Sequence, residues 1–346
     1  MRLTVDSIKA RLSAPWQTGH GAVTERELLL VRLDADDGHV GYGEAAPLAS
    51  YDGVSVAEVR AALQAARPVL ESAGASPGPD LRARLQELIT IPPALAALDM
   101  ALWDLEGRRA GEPVWRRLGA GAAEPVAVNW TVASADRAGA AGEAQQARTE
   151  GFGTLKCKVA IGDDAGRLAA VRAVAGPAMK IRIDANGAWS PAEARAALRV
   201  LGPVGIELCE QPVAGVAAVA ELSHETEIPL ALDESAAAAG ALERRACDLV
   251  CLKVGGCGGL TGVLAAARRA RATGYEVYLA STLDGPLGIA AALHAAAALG
   301  PLRACGLNTL PLYGDRPNPL PASAGAIGPP VTPGLGDGLL GWYRAG

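Results

Sequence analysis

Thr154-Leu155-Lys156-Cys157-Lys158-Val159 decides how the rest of the chain is read, because it is an apolar strand carrying two lysines on one side. Side chains alternate along a strand, so Lys156 and Lys158 point the same way. Downstream the pattern returns, each time with a different charged ending. Ile181-Arg182-Ile183 closes on Asp184, Ile206-Glu207-Leu208-Cys209 on Glu210, Leu230-Ala231-Leu232 on Asp233, and Leu249-Val250-Cys251-Leu252 on Lys253. Each ending lies about one βα unit from the last, so these residues occupy equivalent places on successive strands.

Outward from this stretch the same rhythm supplies eight strand candidates, at 126–132, 154–159, 180–185, 206–210, 229–233, 249–254, 276–281 and 304–308. The seven stretches between them, such as 190–201 and 260–273, are helical in composition. Alternating strands and helices build parallel sheets, and eight strands with seven helices suit a closed ring better than an open sheet. The expectation is an α/β fold, a (β/α)7β TIM-type barrel over residues 121–310. Before it, residues 1–120 read as a smaller α+β unit, with strands at 3–12, 27–34 and 39–44 and helices at 55–70 and 93–118. Leu95, Leu98, Leu102 and Leu105 give the second helix one apolar face. Residues 311–346 are rich in proline and glycine and are expected to form an irregular tail returning to the first unit.

In such a barrel the C-terminal strand ends converge on one mouth. Asp184, Glu210 and Asp233 then sit on three neighbouring strands, close enough to share one cation. Three carboxylates are hard oxygen donors and favour Mg²⁺ or Mn²⁺. Strands two and six stand opposite each other, so Lys156 and Lys158 face Lys253 across the mouth. That places an amine on either side of a metal-bound carboxylate. Removing a proton beside a carboxylate adds charge to an anion, and one preorganised oxyanion contact supplies about 3 kcal/mol against that cost. The base must also be free amine, and a neighbouring ammonium and a cation are both expected to lower the lysine pKa. A lone acid at a strand end is usually a helix cap or an ion-pair partner, and a lone lysine is usually solvated. Six such residues in this order outweigh that reading. Glu234 is a candidate partner for a lysine or a first-turn helix acid, and Asn186 either orients a carboxylate or shapes a turn with Gly187.

A net charge of −5 over 346 residues gives no footprint for nucleic acid. The chain opens without the apolar run of a signal peptide, and no apolar stretch is long enough to span a bilayer. The six cysteines form no paired CxxC motifs, so buried free thiols are expected in a soluble, cytoplasmic homo-oligomer. The glycine cluster at 255–259 follows a late strand and lacks the dinucleotide-binding spacing, which argues against a nicotinamide dehydrogenase.

Lys156-Cys157-Lys158, Asp184-Ala185-Asn186-Gly187, Glu210-Gln211-Pro212, Asp233-Glu234-Ser235 and Lys253-Val254-Gly255 together resemble the enolase superfamily, and within it the muconate-lactonizing subgroup. Gly41-Tyr42-Gly43-Glu44-Ala45-Ala46-Pro47-Leu48 and residues 97–107 resemble that family's capping domain. The resemblance covers nearly the whole chain. It implies a capping domain built from the N-terminal part and the tail, Asp184, Glu210 and Asp233 as metal ligands, Lys158 and Lys253 as acid/base residues, and Lys156 assisting. It also implies two mobile capping loops near 16–25 and 46–53, where Trp16, His20 and Tyr51 are candidates for substrate contact.

The subgroup runs several reactions on one site, and the fold does not choose among them. Its dipeptide epimerases typically carry an acidic pair on the eighth strand for the substrate ammonium, whereas this chain has Cys305-Gly306-Leu307-Asn308-Thr309. An uncharged pocket, with Asn308 and Ser281 as candidate contacts, fits an o-succinylbenzoate synthase, and Ala280-Ser281-Thr282-Leu283 resembles the serine-rich segment of such enzymes. Asn129-Trp130-Thr131-Val132-Ala133-Ser134 resembles the muconate cycloisomerases. The favoured expectation is dehydration of a small carboxylate substrate. The alternatives are lactonisation, racemisation or epimerisation of N-acylamino acids or dipeptides, and a non-catalytic binding or scaffold protein.

Overall fold

The computed structural model describes residues 1–18, 21–73 and 79–345. Alternation in the N-terminal unit becomes an antiparallel sheet of β1 (Arg2–Thr18), β2 (Gly21–Asp34) and β3 (Val40–Ala45). Leu29, Val31 and Leu33 bury one face against Leu63, Leu98 and Leu102. The helix Pro92–Ala110 lies directly on β3 because Gly41 and Gly43 leave room for it. A Cβ on Gly43 would sit 2.0 Å from the Ala97 carbonyl oxygen. That helix starts on prolines, where the missing N–H costs nothing, and stops at Gly111 in the left-handed conformation.

Further strands follow: β4 (Val126–Ala127), outside the barrel sheet, and then β5 (Trp130–Val132), β6 (Thr154–Lys158), β7 (Lys180–Asp184), β8 (Ile206–Glu210), β9 (Leu230–Leu232), β10 (Leu249–Leu252) and β11 (Glu276–Leu279). From β5 to β11 they form one parallel sheet in sequence order. The expected eighth strand is reduced to Cys305 and Gly306, which bridge Val128 on one side and Ala280 on the other. Bonds from Asn129 N to Cys305 O (3.0 Å) and Gly306 N to Leu279 O (2.8 Å) close the ring. Runs of buried Val, Ile, Leu and Cys in these strands fit a sheet covered on both faces.

Several expectations change. The strand expected at 126–132 is split, with β4 pairing instead with β12 (Ala326–Ile327) in the tail. The connection after β9 holds a 3-10 turn, Glu234–Ala237, in place of an α-helix. Gly240, at φ 79°, interrupts what its alanines favour. The capping segment expected as a loop at 16–25 is instead largely a hairpin, with Trp16 paired to Val23. The helix expected at 55–70 divides into Val56–Ala65 and Arg67–Ser72, and an unexpected helix runs over Pro79–Leu88. The helix expected at 93–118 is cut at Gly111, leaving a single turn over Val114–Arg117.

The tail contains a short helix, Leu340–Arg344, with Trp342 and Tyr343 buried. The Tyr343 hydroxyl donates to Glu44 at the end of β3, and Glu44 also accepts from Gly285 N (2.8 Å) at the start of the barrel helix Pro286–Leu299. Leu335 N donates to Asp104 on the long helix of the first unit (2.7 Å). All six cysteines are free thiols. Among the described residues no helix is long and apolar enough to cross a membrane.

Candidate active site

Strand register brings the charged residues together. Lys158 stands beside Asp184, and Asp184 beside Glu210, in the ladders joining β6, β7 and β8. Asp233 and Lys253 each follow directly on β9 and β10. Asp184, Glu210 and Asp233 are buried, and one carboxylate oxygen from each lies within 4.8 Å of the others. These three hard donors fit a divalent cation.

The lysines surround this cluster. Lys158 Nζ donates to Asp184 Oδ2 (2.6 Å) and Asn186 Oδ1 (2.7 Å). Lys156 pairs with Asp184 (2.9 Å) and with Glu210. Lys253 pairs with Asp233, donates to the Tyr51 hydroxyl (2.5 Å) and lies 4.3 Å from the centre of the Tyr51 ring. Tyr51 in turn donates to Asp233 Oδ1 (3.0 Å). Asn186 donates to Glu234 Oε1 (2.8 Å), so Glu234 orients the amide that faces Lys158.

Burial alone would lower Lys156, but Asp184 and Glu210 hold it above its ordinary value. Lys253 is likewise held up by Asp233 and then Tyr51 against the effect of burial. For both lysines, contact with opposite charge outweighs burial. For Asp184 burial acts upward, yet Lys156 and Lys158 bring its carboxyl below the usual range. Lys253 and Lys156 do the same for Asp233. Glu210 stays raised, chiefly through burial. Glu234 is raised to about 7 by burial and then by Asp233 and Asp184.

A cavity of about 90 Å³ opens over this cluster. It is small beside the roughly 300–1,000 Å³ of ligand sites, with Trp16, Leu48 and Tyr51 from the first unit among its walls. Trp16, Tyr51 and Ser281 line it, while its eighth-strand lining is Gly306 and Thr309 and does not include Asn308. His20 lies outside the described residues. Thr131, Leu48, Leu283 and Thr309 are lining residues that the sequence did not single out. Ser281 and Thr309 hydroxyls lie 2.9 Å apart. Apart from the lysines, Asp184 and Asp233, no charged side chain lines the cavity among the described residues.

Two supporting residues were also missed. Tyr278 on β11 donates its hydroxyl to Glu210. Gln211, at φ 36°, accepts through Oε1 from Asp233 N (2.9 Å) and Ser235 N (3.1 Å), and donates to Ser235 Oγ (2.8 Å). It fixes the turn that delivers Asp233. A glutamine directly after a charged strand end was the available signal.

Comparison with known proteins agrees with this architecture. The family described as mandelate racemase / muconate lactonizing enzyme, N-terminal domain, matches residues 2–119, and the enolase C-terminal domain-like family matches residues 139–339. The L-Ala-D/L-Glu epimerase of Bacillus subtilis is 33% identical over 310 residues, covering 86% of this chain and 84% of that protein. The crystal structure of a dipeptide epimerase from Cytophaga hutchinsonii, complexed with Mg and the dipeptide D-Ala-L-Val, superposes with a TM-score of 0.87 at 28% identity, covering 99% of this chain and 98% of that one. The o-succinylbenzoate synthase of Mycobacterium tuberculosis is 42% identical over 178 residues, which is 48% of this chain and 53% of that protein.

Proposed function

Since the chain belongs to the mandelate racemase / muconate lactonizing enzyme family of the enolase superfamily, we propose that it removes a proton α to a carboxylate, with Lys158 as base. The observation that carries this reading is the placement of Lys158 and Lys253 on opposed strands, with Asp184, Glu210 and Asp233 on the wall between. The three acids would hold Mg²⁺, or Mn²⁺ in its place. When bound, the cation would neutralise charge developing on the substrate carboxylate.

The finer reading is dehydration of the o-succinylbenzoate synthase type. Lys158 Nζ takes the α-proton and, as an ammonium, returns a proton to the departing hydroxyl on the same face, releasing water. Lys253 stays protonated opposite it and stabilises the enediolate, while Lys156 adds positive charge beside Asp184 and Glu210. Asn186 and Glu234 orient Lys158. Trp16, Tyr51 and Ser281 border the substrate. Among the described residues the cavity has no acid beyond the proposed ligands, which disfavours a substrate bearing an α-ammonium and supports this choice over dipeptide epimerisation. The 42% identity to the mycobacterial synthase supports it too.

A second reading is racemisation or epimerisation, with Lys158 and Lys253 exchanging a proton across one carbon. Its support is the opposed lysine pair itself and the epimerases among the relatives that match over most of the chain. A screen of carboxylate substrates in D₂O separates the readings. Dehydration gives water loss, stereoinversion gives deuterium at the α-carbon, and cycloisomerisation gives lactone interconversion. Turnover should vanish after exhaustive EDTA dialysis and return with Mg²⁺. Absence of turnover across the panel with Mg²⁺ present would favour a binding role.

A further inference from the structure

Arg26 stands where the two segments that close the mouth meet. It lies on β2, immediately after the hairpin segment that carries Trp16 into the cavity. Its side chain is buried, with the residue 3% exposed. One terminal nitrogen donates to the Ala46 carbonyl (2.8 Å) and the other to the Pro47 carbonyl (2.8 Å). Those are the first residues of the segment that brings Leu48, Ser50 and Tyr51 to the cavity. Among the described residues Arg26 forms no ion pair; its two terminal nitrogens go to consecutive backbone oxygens, and its side chain also meets the Tyr313 hydroxyl.

The surroundings place this fork in the seam between cap and barrel. Glu44 and Asp284, both buried, feel the Arg26 charge. Glu44 ties β3 to Gly285 and Tyr343. Asp284 accepts from the backbone and hydroxyl of Thr282, a cavity-lining residue (3.2 and 3.0 Å). At its far end the 46–53 segment reaches the chemistry directly, through the Tyr51 hydroxyl on Lys253 and Asp233.

We propose that Arg26 is a positioning residue that ties the 46–53 closing segment to the β1–β2 hairpin, holding Tyr51 against Lys253 and Asp233. The geometry requires an arginine. A planar guanidinium spans two neighbouring carbonyls, whereas a lysine ammonium is a single point donor. Losing the fork leaves two buried acceptors without donors, and this favours opening of that segment in particular.

The test compares Arg26→Lys and Arg26→Met with the wild-type chain. Chymotrypsin cleavage after Leu48 or Tyr51, followed by mass spectrometry, should accelerate about tenfold in both variants, the difference made by roughly 1.4 kcal/mol of lost closure. Cleavage elsewhere should change little. With a substrate from the carboxylate screen, KM should rise while kcat stays within about threefold. Wild-type cleavage rates at these sites, or an unchanged KM, overturn the proposal. Faster cleavage throughout the chain, or failure of both variants to fold, also overturns it by assigning Arg26 a global role. The proposal deepens the proton-abstraction reading, but the proteolysis needs no substrate. An inactive wild-type enzyme with site-specific acceleration in the variants would therefore reject the reaction and keep the positioning role.

Discussion

At the scale of single residues, Lys158 differs from its two partner lysines in its second contact. It shares Asp184 with Lys156 but also faces the Asn186 amide, itself oriented by Glu234. An amide oxygen can hold either an amine or an ammonium, which suits a group that takes and returns a proton. Lys158→Ala should lower kcat by about 10²–10⁴-fold, the range for a general base. Circular dichroism should remain that of the wild type, and a variant with unchanged kcat would remove Lys158 as base. The six charged residues were legible because each ends an apolar strand at a recurring interval. Gln211 and Tyr278 were not, because one looks like an ordinary turn residue and the other like core, and only the folded ring brings them to Asp233 and Glu210.

Among the elements, the contact between β3 and the helix Pro92–Ala110 depends on small residues, Gly41 and Gly43. With Gly43 replaced by alanine, the new methyl meets the Ala97 carbonyl, so strand and helix must separate. Gly43→Ala should destabilise the chain by about 1–3 kcal/mol, as overpacking does, read from the midpoint of urea unfolding. An unchanged midpoint would mean the helix shifts at little cost. The sequence showed this helix through its leucine spacing but hid how closely it approaches. It misled at the connection after β9, where local alanine propensity favours a helix that Gly240, at φ 79°, interrupts. The helix Pro79–Leu88 was missed because the prolines and glycines before it resemble a loop.

For the whole molecule, His294 joins three separate regions. Sitting on the helix Pro286–Leu299, it accepts from Trp115 N through Nδ1 (3.1 Å), leaving Nε2 to donate to Leu335 O (3.1 Å). Burial lowers its pKa to about 4, against 6.5 for an ordinary histidine. The unfolded chain therefore binds a proton here before the folded one does, and stability falls as pH drops from about 6.5 towards 4. A shift of this size corresponds to about 3 kcal/mol across that window. Urea unfolding at pH 7 and pH 4.5 should show the loss, and His294→Gln should flatten it. Equal slopes in the two proteins would assign the acid sensitivity to other groups.

The bond from Tyr343 to Glu44 has a kinetic corollary. It spans 299 residues of chain, and contacts of such long range form only after the intervening loops have lost their entropy. It should therefore be absent from the rate-limiting ensemble during refolding and present only in the finished protein. Tyr343→Phe is then expected to hasten unfolding while leaving the refolding rate unchanged, a division that stopped-flow measurement on both limbs of the denaturant dependence would reveal. A slowed refolding limb would instead place this tie in the nucleus. On the expected outcome, the tail acts as a latch whose chief effect is on how long the native state lasts.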